Sequence, residues 1–293
     1  MTRHTTSVFL RFGWCLLALL VAVAGATGAA RALPPHSVYV SVAGVDGHPL
    51  TSLTVQDFVV SVDGRDQAVL NVRPATDSLS LVLVVDQLYV ADQSLLQVRK
   101  ALQEVVESVR QQNRTARIGL SSQTSPPKLV SVTEEAHALD RTVSGFFPSP
   151  DAAPLLEGII DATGVLGKES TNRRVVLAIT SHRAIDFSVG AQRISDALRH
   201  TRSALWAVEL WPTAGGRETR DEAAVLDVVT GLSGGQHATI YDATALPKTT
   251  QQMVDLLLSQ YVVTYAPPPP SGLGALRVGV KRDRVEVIAP RWD

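Results

Sequence analysis

Cysteine is almost missing from this chain: one of 293 residues is Cys, at position 15 inside the first apolar run. Past that point there is no thiol. This excludes disulfide staples, Cys-bearing zinc sets and thiol nucleophiles, and leaves stability to the core. A long hydrophobic run is missing too. The longest leading stretch, Phe12–Ala24, holds about a dozen apolar residues, against the roughly 20 that span a bilayer, so no permanent membrane span is expected. Excess charge of either sign is also lacking, with 27 Lys and Arg facing 28 Asp and Glu. That balance, with no Lys/Arg run, argues against nucleic acid and anionic membrane surfaces as partners. What is present is 45% hydrophobic and 19% charged residues. Such a composition excludes disorder, collagen and coiled coil, and the length suits a large domain with or without a small companion.

The amino terminus reads as an export signal. Arg3 and Arg11 precede the apolar run, and small residues follow it, ending in Ala30-Arg31-Ala32. A cut after Ala32 leaves Leu33 first, while Ala24-Gly25-Ala26 offers an earlier cut before Thr27. Removing residues 1–32 leaves 24 basic against 28 acidic residues. Cys15 stands behind Gly13-Trp14 and not in a small-residue lipobox, so it is not read as a lipid attachment point. Asn113-Arg114-Thr115 is a glycosylation sequon, relevant only in a eukaryotic secretory pathway.

The pattern then changes twice. From Ser37 to Pro74, short alternating runs (Val38–Val42, Phe58–Val62, Ala68–Val72) are separated by Asp46-Gly47 and Asp63-Gly64, which predicts strands and turns. From Leu79 to about Gln260, apolar strands alternate with amphipathic helices, and after Gln260 the short strands return. The division is residues 1–32 signal, 33–76 amino-terminal β segment, 77–259 α/β domain and 260–293 carboxyl-terminal β segment. Each flank alone has too few strands to fold independently, so the two are expected to pair into one small β sandwich.

In the middle region Leu79–Val85 is nearly continuous and apolar, as a parallel strand covered on both faces requires. Leu95, Val98, Leu102, Val105 and Val109 recur at three and four residues and define a helix face. Further strands are predicted at Ala116–Leu120, Leu129–Val132 (a short edge), Arg174–Thr180, Ala204–Val208 and Thr239–Tyr241. Helices are predicted at about Ala152–Leu166, around Ile194–Leu198, at Asp221–Val229 closed by Gly231, and at Thr249–Ser259. Six strands with helices between them give a doubly wound, Rossmann-type parallel sheet.

On these residues Leu79–Ser259 resembles a von Willebrand factor type A domain. The flanks are similar to those of its secreted bacterial branch. Before the domain stand Val38–Val42, Asp46-Gly47, Leu53-Thr54, Gln56-Asp57-Phe58 and Asp63-Gly64, and after it comes Gln260-Tyr261 through Tyr265-Ala266-Pro267. The resemblance implies a divalent cation at the carboxyl ends of the strands, held by an Asp-x-Ser-x-Ser loop, a Thr from a second loop and an Asp from a third. This chain departs from that set. Its first loop reads Asp86-Gln87-Leu88-Tyr89-Val90, Ser181 of Thr180-Ser181-His182 stands at the third-loop Asp, and Ala153 aligns with the Thr. Asp86 alone survives, and one carboxylate among aliphatic side chains does not replace the hydration shell of Mg²⁺. No metal and no other cofactor is expected. Asp92, Asp151 and Asp186 could rebuild an acidic site, although each also fits a helix cap. Asp86, Tyr89, Ser181 and His182 form the expected partner surface, with Asp86 either contacting the partner or accepting internal hydrogen bonds.

Gly231-Leu232-Ser233-Gly234-Gly235 fits G-x-S-x-G, but a nucleophile elbow needs a strand before the serine and a helix after it. Here the order is reversed, and the glycines read as a helix-terminating turn. His182 and His237 lack an i, i+4 partner and read as solvated or hydrogen-bonded loop residues. Trp206 is read as core, and Trp211 as a strand-end residue open to a partner contact. Pro267–Pro270 reads as a stiff connector between strands, with a proline-rich ligand as the alternative. The functional reading is an exported, non-enzymatic protein-binding module acting through the loop end of its sheet without a metal. Two alternatives are metal-dependent adhesion through Asp86, Asp92, Asp151 and Asp186, and a serine hydrolase using Ser233.

Overall fold

Leu79–Val85 is apolar at every position but Ser80, and all of it is buried, a demand met only where both faces of a strand are covered. In the computed structural model, which describes residues 34–85, 92–121, 127–147, 155–181, 188–211, 220–266 and 274–292, this strand lies at the centre of a six-stranded sheet. In chain order the strands before it are β1 (His36–Ala43), β2 (Phe58–Val62), β3 (Arg65–Gln67) and β4 (Val69–Pro74), and it is β5. Then follow α1 (Asp92–Gln112), β6 (Arg117–Leu120), β7 (Val130–Ser131), α2 (Ala136–Ser144), α3 (Leu155–Leu166), β8 (Arg173–Ser181), α4 (Ser188–Thr201) and β9 (Ser203–Leu210). The chain continues with α5 (Arg220–Ser233), β10 (His237–Ile240), α6 (Leu246–Leu258), β11 (Tyr261–Tyr265), β12 (Leu276–Val280) and β13 (Glu286–Ile288). Pro35–Asp293 pack as one unit.

The central sheet runs β10-β9-β8-β5-β6-β7. It is parallel except for β7, which pairs antiparallel with β6 through Ile118↔Val130. This is the doubly wound arrangement that the resemblance implies. The alternation of β5 divides it between two cores. Leu79, Leu81, Leu83 and Val85 pack with α1, α2 and α6, and Val82 and Val84 with α3, α4 and α5. On α1 the predicted stripe is buried at Val98, Leu102, Val105 and Val109 and partly buried at Leu95.

α2 has no counterpart in the sequence reading. It is nine residues long and buries only Leu139 and Val143, a single i, i+4 pair too sparse to raise a periodic signal. Two boundaries also shift. α6 starts at Leu246 and not Thr249, and α5 runs through Gly231 to Ser233. The residue that ends α5 is Gly234, at φ +82°. Gly235 N–H donates to Thr230 O at 2.9 Å, the six-to-one bond of a Schellman turn.

The two flanks fold together. β1 lies between β11 and β13 in the four-stranded sheet β13-β1-β11-β4, and β2 lies between β12 and β3 in a second sheet. Val38, Val40, Val42, Phe58 and Val60 share one core with Tyr261, Val263, Tyr265 and Leu276, so two sheets from both chain ends make the expected sandwich.

The α/β region is therefore an insertion, leaving the sandwich at Ala75 and returning at Gln260. These points touch, with Ala75 N–H donating to Gln260 O at 2.8 Å. Arg173, buried at the start of β8, closes the junction: Nε donates to Gln260 Oε1 at 3.2 Å, Nη1 to Ala75 O at 2.8 Å, and Nη2 to Leu257 O. Burial pulls its pKa down to about 10, which leaves the guanidinium charged at neutral pH. Arg173→Met removes all three donors and strands a buried amide oxygen and two carbonyls. It is expected to lower unfolding stability by about 3 kcal/mol in urea titrations.

Candidate functional site

In a doubly wound sheet the ligand side lies beyond the carboxyl ends of the strands, where the strand order reverses. The reversal here falls between β5 and β8, which are parallel neighbours with Val85 opposite Ile179. Val85 immediately precedes Asp86, and Ser181 ends β8 with its backbone opposite Leu210 of β9. Asp86, Leu88, Tyr89, Val90, Asp151, Ala153, His182 and Asp186 lie outside the described residues. So do the side chains of Ser181 and Asp92, although Asp92 is the first residue of α1. Among the described residues, no three His, Cys, Asp or Glu side chains cluster as a metal ion would need.

The described rim of this edge carries several exposed apolar side chains beside Arg99 and Asp242. Leu96, in the first turns of α1, is 71% exposed, and Phe147, just before the α3 approach, is 64% exposed. Arg99, three residues along α1, joins them: its Cζ stands 4.2 Å from the Phe147 ring centre and its Nε donates to Phe146 O at 2.9 Å. Across the sheet, Trp211 follows β9 and Tyr241 follows β10. Their rings meet edge to face at 6.3 Å, and Tyr241 is 64% exposed. Apolar side chains therefore border the reversal point on both sides, a feature of surfaces that meet other molecules. The sequence held a faint sign of Leu96, an apolar residue beside Leu95 that falls off the buried stripe of α1. Phe147 and Tyr241 gave none, because an aromatic at a strand or helix end reads equally well as core.

Ser233 does not present a nucleophile. Its hydroxyl is buried, accepts from Leu205 N–H at 2.9 Å and donates to Thr230 O at 3.0 Å, so it caps α5 and ties it to β9. The glycines beside it are there for close approach. A Cβ on Gly235 would fall 1.8 Å from Leu205 O, and one on Gly234 2.6 Å from Pro290 Cδ.

His237 is hydrogen-bonded and not solvated, and it stands in a strand and not a loop. It opens β10 with its ring enclosed, Nδ1 being 2.7 Å from Asp227 Oδ1 of α5 and Nε2 3.2 Å from Glu209 Oε2 of β9. Spacing could not reveal this, because the three residues come from three elements. Trp206 is buried in the core, as expected. At the sequon, Asn113 is buried and its amide donates to Asp77 O at 2.9 Å, which occupies the nitrogen a glycan would need. Pro267–Pro270 lie outside the described residues.

No protein-family model and no curated protein matches the sequence. Among solved structures, the chain is similar to a von Willebrand factor type A protein from Catenulispora acidiphila, at 9% identity, 90% coverage of this chain and 75% of that one, with a TM-score of 0.49. It is similar to the SpRpn10 VWA domain at 11% identity, 59% and 95% coverage and a TM-score of 0.45. An aerotolerance-related membrane protein from Bacteroides fragilis aligns at 12% identity, 61% and 99% coverage and a TM-score of 0.41. The fold class itself rests on the strand order and crossovers described above.

The capping role of Ser233 is open to test. Ser233→Ala leaves the Leu205 N–H without its acceptor and is expected to cost about 1–2 kcal/mol of unfolding stability. A fluorophosphonate probe is expected to leave Ser233 of the folded wild type unlabelled, and stoichiometric labelling there would reinstate the hydrolase reading.

Proposed function

We propose that this chain is an exported, non-enzymatic protein-binding module that engages a protein partner through the carboxyl edge of its central sheet, without a metal ion. Asp86, Tyr89, Ser181 and His182 form the centre of that surface in this reading, and Leu96, Phe147, Trp211 and Tyr241 form its rim. The observation that carries it is the exposed apolar border on both sides of the β5–β8 reversal. Export rests on the leading segment, with the mature chain secreted or periplasmic and starting at Leu33. No helix among the described residues is long and apolar enough to cross a membrane. The metal-free reading rests on donor chemistry. Leu88 and Val90 offer no oxygen, and a hydroxyl at Ser181 in place of a carboxylate removes charge that would offset desolvation of a hard cation.

Photo-crosslinking from the native compartment tests the surface. A photo-reactive phenylalanine at Leu96, Phe147 or Tyr241 is expected to trap one common protein. The same residue at Leu70, half-exposed on β4 at the far sandwich, is expected to trap none. Equal trapping from Leu70 would overturn the assignment. With that protein in hand, the double variant Phe147→Ser and Tyr241→Ser is expected to weaken binding roughly tenfold.

Metal dependence is tested by thermal melts. A cation at a hundredfold excess over its Kd would stabilise the fold by about 2.7 kcal/mol, a rise of several degrees. Mg²⁺ and Mn²⁺ are expected to leave the midpoint unchanged. A saturable rise that disappears in Asp86→Ala would replace this reading with metal-dependent adhesion through Asp86, Asp92, Asp151 and Asp186.

A further inference from the structure

We propose that Glu209, His237 and Asp227 form a protonation-controlled latch that holds α5 and the edge strand β10 against β9. Each group comes from a different element: Glu209 from β9, His237 from β10 and Asp227 from α5. The imidazole lies between two carboxylates, at 2.7 Å from Asp227 Oδ1 and 3.2 Å from Glu209 Oε2. The His237 and Glu209 side chains are 2% and 4% exposed, whereas Asp227 is 65% exposed. Glu209 is the only ionisable side chain of β9, His237 the only one of β10, and Asp227 the only one among the described side chains of α5. Nearby, Arg291 approaches α5 at Gly231, one turn beyond Asp227. Glu286 meets Gln236, whose side chain alternates to the opposite face from His237.

The chemistry of the latch follows from donor count. Imidazolium has two N–H groups, one hydrogen-bonded to Asp227 through Nδ1 and the other facing Glu209 through Nε2 as an ion-pair contact, whereas neutral imidazole has one. Losing the proton therefore turns one of the two contacts into a lone pair facing a carboxylate, whatever else Glu209 touches. Burial pulls the His237 pKa down, but hydrogen bonds and charge from Glu209 and Asp227 outweigh it, and the net shift is upward. A raised pKa in the fold means that the stabilisation is fully present below the unfolded value of about 6.5 and is lost as pH rises through the folded value. β9 and β10 also carry Trp211 and Tyr241, so the latch would set how firmly that side of the carboxyl rim is held. This last consequence rests on the function proposed above.

Hydrogen exchange and NMR titration of the full chain test the latch. As pH rises through the His237 titration, protection of β10 and α5 amides is expected to fall at least tenfold relative to α1, after correction for intrinsic exchange. Glu209→Gln is expected to move the His237 midpoint to lower pH. The exposed change Asp227→Asn is expected to do so less and to leave the fold intact. His237→Asn is expected to show exchange in β10 and α5 that does not vary with pH. Constant protection in the wild type, or the same pH dependence in His237→Asn, would overturn the latch. No partner enters these measurements, so failure of docking at the carboxyl edge would leave their outcome unchanged.

Discussion

The guanidinium of Arg173 holds the place where this chain crosses from one layer system to another and back. An α/β region inserted into a β sandwich folds only if its two ends meet. Here they meet at Ala75 and Gln260, joined by one backbone bond and by two donors from a single side chain. The same side chain satisfies Leu257 O in the last turn of α6, where unpaired carbonyls and the negative end of the helix dipole favour a cation. A buried charge is costly in isolation. Here its position is defined by β8, the helix end and the sandwich strand together, so the register of the sheet against the sandwich is fixed at one point. Ser41 adds a second tie, its hydroxyl donating to Leu256 O at 3.1 Å.

Much of this organisation was legible because burial on both faces leaves a strong mark in sequence. β5 is apolar nearly throughout, β8 and β9 are apolar along their middles, and α1 shows its stripe at three and four residues. The pairing of the flanks was legible from an argument of insufficiency, since three short strands at each end cannot close a core alone. What was lost was lost for local reasons. α2 needs only Leu139 and Val143 to hold it down. The end of α5 lies at Gly234 and not Gly231, because a glycine inside a helix is tolerated and the positive φ that ends this helix falls at Gly234. Of the apolar rim only Trp211 was read as open to a partner, because exposure is a property of neighbours.

The G-x-S-x-G run shows how one local pattern can serve two opposite purposes. In an elbow the glycines let a serine project outward from a strained turn. In this chain Gly234 and Gly235 let α5 end against Pro290 and the β9 backbone, and Ser233 turns inward to cap what that close approach leaves unpaired. The order of elements, helix then strand, decides between the two.

The charge at the carboxyl end of β9 is handled in a similarly inward way. Glu209 stands opposite Thr180 of β8, one residue from the end of its strand, at the side of the sheet where a carboxylate could help to hold a cation. Its carboxylate instead has the imidazole of His237 beside it, and Asp227 completes the set from α5. A histidine can give up that positive charge by losing a proton, which a metal ion cannot do. Glu209 is thus enclosed within the fold, while exposed Asp242 accepts from Thr244 N–H at 2.9 Å and Leu96, Phe147 and Tyr241 turn largely apolar side chains to solvent. In the function proposed above, such side chains would act by excluding water against a complementary protein surface.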